Sequence, residues 1–350
     1  MPLAEDDLNH VLHHTRKSWD AIAGGRLFVT GGTGFFGKWL LETFAHANRL
    51  LSLNATAVVL SRDPAAFGRA MPHLADEPSV HMVAGEIGSF AFPAGEFTHV
   101  VHAATPTSAA LNDLSPFDLI DTSINGTRRV LEFAREKQVK ALLFTSSGAV
   151  YGPTRTGEAG GARVNIAETL QTGPDLTNPR NAYAESKRLA ELMCAVAADK
   201  YGLDIRIARC FAFVGPYLPL DQHFAVGNFI GNALRGEAIR IRGDGQAVRS
   251  YLYAADLAIA LWTLLFEGRS GLPYNIGSCE PVSVFELART VAKAVAPDMR
   301  IEVGGAAVPG LDYYVPDTAR YDQTYGPQIR IGLIEAIRRT HHFHQARREH

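Results

Sequence analysis

Cysteine is scarce in these 350 residues, with three in all, Cys194, Cys210 and Cys279. An odd count with no CxxC spacing excludes a disulfide framework and a cysteine zinc site, and fits a reducing compartment. No excess of positive charge is present either. Lys and Arg number 34 against 36 Asp and Glu, a formal net charge of -2, where a nucleic-acid binder would be basic. No run reaches the roughly 18 apolar residues of a membrane span. The polar opening MPLAEDDLNHVLHHTRKSWD lacks an apolar stretch of signal length. These absences predict a cytoplasmic protein with neither membrane nor nucleic acid among its partners. What is present is ordinary for a soluble globular chain: 47% hydrophobic and 20% charged residues. The length predicts two lobes, or one large α/β domain with an appended part.

Leu8, Val11, Leu12, Trp19 and Ile22 recur at helical spacing before Gly24-Gly25, so residues 1–24 read as an amphipathic helix packed on the main body. His10, His13 and His14 lie on it with no acidic or Cys partner, and a solvated helix face is expected rather than a metal site. Arg26 to Thr30 is a short apolar run. It enters Gly31-Gly-Thr-Gly-Phe-Phe-Gly37, and a helical pattern follows from Lys38. Strand, glycine turn and helix in that order suit a dinucleotide: glycine lets a pyrophosphate approach the backbone, and the helix N-terminus offers free N–H donors. Gly31, Gly34 and Gly37, with Thr33, Phe35 and Phe36 between them, are the expected contacts, on the spacing GxxGxxG.

A second strand, Thr56 to Leu60, ends at Ser61-Arg62-Asp63. An acid at this strand end binds the ribose 2'-hydroxyl of NAD, whereas an arginine accommodates the 2'-phosphate of NADP. Ser61 and Arg62 lean toward NADP, with Asp63 able to turn inward for NAD. A third strand, Val80 to Ala84, leads to Glu86 and Ile87, and a fourth, His99 to Ala103, to Ala104 and Thr105; these complete the expected cofactor contacts. Asp118 to Gln138 reads as a long helix, Lys140 to Thr145 as a fifth strand and Asp204 to Phe211 as a sixth. The alternation predicts an α/β fold of Rossmann type, a doubly wound parallel sheet binding ligands at its strands' carboxyl ends. That domain is expected over 25–212 with about 250–280. A smaller interleaved substrate-binding lobe is expected over 213–249 and 281–338, and a mobile tail over 339–350.

Asn181-Ala-Tyr-Ala-Glu-Ser-Lys187 opens a helical pattern running to about Tyr201. It sets the Tyr183 phenol and the Lys187 amine one turn apart on one face. A free tyrosine, with a pKa of about 10, is phenolate in roughly one molecule per thousand at neutral pH. A nearby ammonium favours the phenolate, so the pair is a candidate general acid/base for a hydroxyl proton. Ser146-Ser-Gly-Ala-Val-Tyr-Gly152 places hydroxyls at the end of the fifth strand, facing the expected crevice.

The chain resembles the extended short-chain dehydrogenase/reductase family, in particular its NAD(P)-dependent nucleotide-sugar epimerase/dehydratase branch. TGGTGFFG at 30–37, SSGAVYG at 146–152, YAESK at 183–187, RCFAFVGP at 209–216 and GDGQAVRSYLYAAD at 243–256 occur in the family's order. The resemblance makes Tyr183 the acid/base and Lys187 the residue that lowers its pKa and binds the nicotinamide ribose. Ser147, four residues before Tyr151, becomes the hydroxyl that orients the sugar. Arg249 is similar to the arginine that clamps the nucleotide diphosphate, and Gly148 and His223 join it as implied substrate contacts. Tyr183 would take a sugar hydroxyl proton while the carbon's hydride passes to a nicotinamide. The resemblance also implies a homodimer through the helices bearing Asn125 and Tyr183.

Departures narrow the implied activity. Dehydratases of the branch carry an Asp-Glu pair after the catalytic hydroxyl, and decarboxylases a Glu at the second position; here stand Gly148 and Ala149, which carry no proton. The family's asparagine in RxxNxxGP is Ala212. The implied function is a C4 epimerase of a nucleoside-diphosphate sugar working through a transient 4-keto intermediate. An NADPH-dependent 4-ketoreductase is the alternative. A 4,6-dehydratase, a decarboxylase and a non-catalytic cofactor-binding protein are less favoured.

Overall fold

The computed structural model describes residues 1–104, 115–152, 164–222, 224–305 and 312–349. In chain order the first elements are α1 (Glu5–Thr15), β1 (Arg26–Thr30), α2 (Phe35–Leu51), β2 (Thr56–Ser61), α3 (Pro64–Ala70), α4 (Pro72–Ala75), β3 (Val80–Ala84), β4 (His99–His102), α5 (Pro116–Glu136), β5 (Ala141–Ser147), α6 (Ala182–Tyr201) and β6 (Ile205–Cys210). Then come β7 (Phe213–Val214), α7 (Ala225–Arg235), β8 (Ile239–Ile241), β9 (Val248–Arg249), β10 (Leu252–Tyr253), α8 (Ala254–Glu267), β11 (Pro273–Ile276), β12 (Val282–Ser283), α9 (Val284–Val295), β13 (Ile301–Val303), β14 (Tyr313–Tyr314), α10 (Ala319–Tyr325) and α11 (Leu333–Glu349).

The chain forms two compact units. The first comprises Met1–Val150, Pro174–Arg209 and Ala258–Pro273; the second comprises Tyr151–Gly173, Cys210–Leu257 and Tyr274–His350. The first unit takes in residues 1–24, and the second takes in the tail together with 151–173, 210–212, 250–257 and 274–280, which the sequence reading assigns to the dinucleotide-binding domain.

The main sheet has seven strands in the order β11-β6-β5-β4-β1-β2-β3, its edge strand starting at the last residue of the first unit. The pairings β1 with β2 and β4, β2 with β3, and β4 with β5 are all parallel. This is the doubly wound α/β fold that the sequence predicts. Apart from the edge strand β3, which is partly exposed, the strands of this sheet are buried because helices cover it, and they read as apolar runs rather than alternating ones. Phe28, Val58, Val100, Leu142, Phe144 and Ile205 join Phe133 of α5 and Ala190 of α6 in one core.

The N-terminal residues are not one helix. α1 stops at Thr15, and Trp19–Ile22 forms a 3-10 turn. Trp19 is buried against Trp262 with ring centroids 4.7 Å apart, and the Leu3 N–H donates to the buried Glu42 carboxylate at 2.7 Å.

In the second unit, β9 pairs antiparallel with β12 and parallel with β14, and β8 pairs parallel with β13. The expected mobile tail over 339–350 is corrected here: α11 runs on to Glu349. Its polar composition hides a stripe, Ala336, Ile337, Thr340 and Phe343, that is buried at helical spacing, with Phe343 edge-on to Tyr217 at 4.8 Å. Among the described residues, no helix is long and apolar enough to cross a membrane.

Candidate active site

The parallel registers pair Thr30 with Leu60 and with His102, Ser61 with Ala84, and His102 with Phe144. The carboxyl ends of β1 to β5 therefore open on one edge of the sheet, where open α/β sheets bind ligands. All of the expected catalytic and cofactor residues that are described lie in the first unit.

The glycine turn leaves bare backbone at this edge. Gly31 has φ +76°, and a Cβ there would come within 2.5 Å of the Ala103 carbonyl carbon and oxygen. A Cβ at Gly37 would lie 2.3 Å from the Gly31 oxygen and the Gly32 Cα. No side chain larger than hydrogen fits either place without moving backbone. Gly34 is different: a Cβ would approach the Gly31 oxygen only to 3.4 Å. Its part is to begin α2, where no side chain caps the amides of the first turn and no acid stands among them. Thr33 and Gly34 are exposed, and Phe35 and Phe36 half-buried. Uncapped N–H groups and a positive dipole end beside bare backbone fit a pyrophosphate.

At the end of β2, the Asp63 carboxylate accepts the Ala66 N–H at 2.8 Å as the N-cap of α3. The Asp63 N–H in turn donates to Ser61 Oγ at 3.2 Å, and Arg62 is exposed. The acid that could have turned to a ribose is thus engaged as a cap. Glu86 is exposed, whereas the Ile87 side chain faces Gly126 of α5, where a Cβ would come 2.8 Å from its Cγ1. Ala103 and Ala104 are half-buried at the end of β4, their N–H groups donating to Thr30 O at 3.1 Å and Thr30 Oγ1 at 3.3 Å. Thr105 and His223 lie outside the described residues.

Tyr183 stands half-buried in the first turn of α6. One turn on, Lys187 is buried; its Nζ donates to Thr145 O at 2.6 Å and lies 4.9 Å from the centre of the Phe144 ring. The ammonium is thereby fixed to β5, two residues before Ser147. The strand runs to Ser147, two residues beyond its expected end, and Gly148 then opens a 3-10 turn to Tyr151. Ser147 Oγ accepts the Ala149 N–H at 3.1 Å, which leaves the hydroxyl proton to give. Ser146 is committed elsewhere: its hydroxyl donates to Glu191, whose carboxylate is forked by Arg209 with Nη2 at 2.7 Å. The choice of Ser147 over Ser146 rests on this contrast as well as on spacing.

Two groups were not singled out from sequence. Glu191 follows Lys187 by one helical turn on the same face, a spacing that could have drawn attention to it. His102 is fully buried at the end of β4, its Nδ1 2.8 Å from Thr30 Oγ1 and its Nε2 3.2 Å from Thr127 Oγ1. Burial, then the Lys187 charge, pushes its pKa down to about 3, so the ring is neutral.

In the second unit, Arg249 of β9 donates to the backbone oxygens of Val248 at 2.9 Å and Asp312 at 3.1 Å, and pairs with the Asp312 carboxylate. Among the described residues no three His, Cys, Asp or Glu side chains could together hold a metal ion.

A profile of the NAD dependent epimerase/dehydratase family matches residues 27–277. A UDP-glucuronic acid decarboxylase of Arabidopsis thaliana is 28% identical over 315 residues, covering 89% of this chain and 86% of the plant protein. Among solved structures, UDP-glucose 4-epimerase of Thermotoga maritima superposes with a TM-score of 0.75 at 22% identity, covering 92% of this chain and 99% of its own. An NAD-bound dTDP-glucose 4,6-dehydratase of Streptomyces venezuelae gives 0.76 at 24% identity, covering 93% and 98%.

Proposed function

Because the chain belongs to the NAD dependent epimerase/dehydratase family, we propose that it is an NAD(P)-dependent enzyme that inverts C4 of a nucleoside-diphosphate sugar through a transient 4-keto intermediate. One observation carries the reading: Lys187 is buried with its ammonium on Thr145 O, one helical turn from Tyr183, while the hydroxyl of Ser147 ends the same strand. In it, the glycine turn from Gly31 to Gly37 and the opening amides of α2 would hold the pyrophosphate of the dinucleotide, which when bound would supply hydride-transfer chemistry. Tyr183 removes the sugar's hydroxyl proton as the carbon becomes a ketone and returns it after the other face is presented. Lys187 favours the phenolate by charge. Ser147 donates to the sugar oxygen. Arg249, in the second unit, would have to give up Asp312 to hold a diphosphate.

Gly148 and Ala149 beside Ser147 bring no second proton carrier. That argues for hydride chemistry alone, although UDP-glucuronic acid decarboxylases are among the relatives. A second reading, an NADPH-dependent 4-ketoreductase, is favoured by the end of β2, where Asp63 caps α3 and Arg62 is exposed. Leu189, Leu192 and Val196 are exposed on α6 at 45%, 59% and 50%, an apolar stripe that supports a homodimer through α5 and α6. A cytoplasmic location accords with three unbridged cysteines.

The test is a panel of UDP-, GDP-, dTDP- and CDP-sugars, UDP-glucuronate included, incubated with and without NAD and NADP and read by product stereochemistry and CO2 release. An epimerase interconverts C4 isomers without consuming added cofactor. Consumption of one NADPH per product selects the reductase, and CO2 release from the uronate overturns the hydride-only reading.

A further inference from the structure

The proton positions in the His102 cluster can be assigned from its partners. Thr127 Oγ1 gives its single proton to Ser123 O at 2.7 Å, so it can only accept from the imidazole. His102 Nε2 therefore carries the hydrogen, and in the neutral ring Nδ1 is an acceptor. The Thr30 hydroxyl must then donate to Nδ1, which turns its lone pairs to the Ala104 N–H, 3.3 Å away. The hydrogen bonds from Thr127 of α5 through His102 of β4 and Thr30 of β1 to the Ala104 N–H thus run in one direction set by Thr127.

The place of this chain in the sheet gives it consequence. The Ala103–Ala104 backbone is the same stretch that a Cβ on Gly31 would strike at 2.5 Å to 2.6 Å. Thr30, immediately before Gly31, thus fastens the Ala103–Ala104 backbone directly against the glycine turn. On its other side His102 is tied to the catalytic strand: its carbonyl accepts Thr145 Oγ1 at 3.3 Å, and Thr145 O accepts Lys187 Nζ. We propose that His102 and Thr30 are positioning residues, a hydrogen-bonded strut that holds the Ala103–Ala104 backbone against Gly31 and so shapes the dinucleotide crevice. The inference rests on the dinucleotide reading above. His102 makes no contact with substrate in it; it acts through Thr30.

Three variants separate positioning from mere stability. Thr30→Val keeps the shape and removes both hydrogen bonds, Thr30→Ser restores them, and His102→Asn keeps an acceptor for Thr30 while giving up Thr127. The purified proteins are titrated with NAD and NADP by calorimetry, and their melting is followed without ligand. Thr30→Val is expected to raise the dissociation constant of the better-bound dinucleotide about tenfold, the scale of one lost hydrogen bond. Thr30→Ser should return it to within about threefold of wild type, and His102→Asn should fall between. A Thr30→Val protein that melts lower yet binds as tightly as wild type overturns the proposal. If wild type itself binds neither dinucleotide, the functional reading fails instead. Nitrogen NMR of wild-type His102 tests the strut without any variant: a neutral Nε2–H ring at pH 6 is expected, and an Nδ1–H or protonated ring overturns it.

Discussion

Ser146 and Ser147 are neighbours on β5 whose hydroxyls go to different partners, Ser146 to the Glu191 carboxylate and Ser147 to the Ala149 amide. Ser147→Ala should lower kcat by about a hundredfold or more, the loss expected when a positioned proton-donating group is removed. Ser146→Ala should leave kcat within a few fold and cost about 1–2 kcal/mol of stability, because Glu191 keeps Arg209. Steady-state rates with the sugar found in the panel, together with urea denaturation, check both. Equal losses of rate would refute the assignment of Ser147.

Tyr183→Phe removes the proposed acid/base hydroxyl and keeps the ring on α6. Its kcat should fall by roughly 10²- to 10⁴-fold while calorimetric dinucleotide binding stays near wild type. Unchanged turnover would remove Tyr183 from the chemistry.

Acid should destabilise the first unit earlier than its carboxylates alone would dictate. Burial, then Arg206 and Lys140, pushes His99 down to about 4, and burial with Lys187 pushes His102 down to about 3. Both are neutral when folded, whereas the unfolded chain takes up their protons below its ordinary pKa of 6.5. Their stabilising contribution is therefore whole above pH 6.5 and shrinks as the pH falls toward 4 and 3. The slope approaches about 1.4 kcal/mol per pH unit for each ring. Urea midpoints at pH 7, 6 and 5 should decline accordingly, and a flat series would contradict it.

Within the glycine turn, substitution should be tolerated unevenly. Gly34→Ala meets only ordinary van der Waals contact, whereas Gly37→Ala drives a methyl into the Gly31 and Gly32 backbone. The second should cost about 1–3 kcal/mol or more and weaken dinucleotide binding well beyond the first. Melting and titration of the two side by side will tell.

At the end of β2, Arg62→Ala should reduce affinity for NADP by about tenfold with little change for NAD, the loss of one charge-assisted contact. Asp63→Ala should instead cost about 1 kcal/mol of stability as a lost helix cap and leave the NAD to NADP ratio where it was. A reversal of these two effects would show Asp63, not Arg62, reading the ribose.

Much of this was legible in the sequence because it is local. A strand, a glycine turn and a helix lie within Arg26 to Leu51, and Tyr183 and Lys187 share one turn of helix. The strand ends were placed within a residue or two, since buried parallel strands read as apolar runs bounded by polar turns. What escaped notice depends on distant partners. Ser146 meets Glu191 45 residues away, and His102 reaches Thr30 across 72. Composition also misleads at the C-terminus, where four histidines and two arginines among Thr340 to His350 suggest a loose end, while Phe343 anchors α11.

The interleaving of the two units bears on how such a protein could be re-engineered. Each is assembled from three separate stretches, and the chain crosses between them after Val150, Gly173, Arg209, Leu257 and Pro273. No single contiguous graft exchanges one unit for that of a relative. Altering specificity by recombination would require three coordinated replacements, one of them beginning at Tyr151, four positions past the serine assigned to the chemistry.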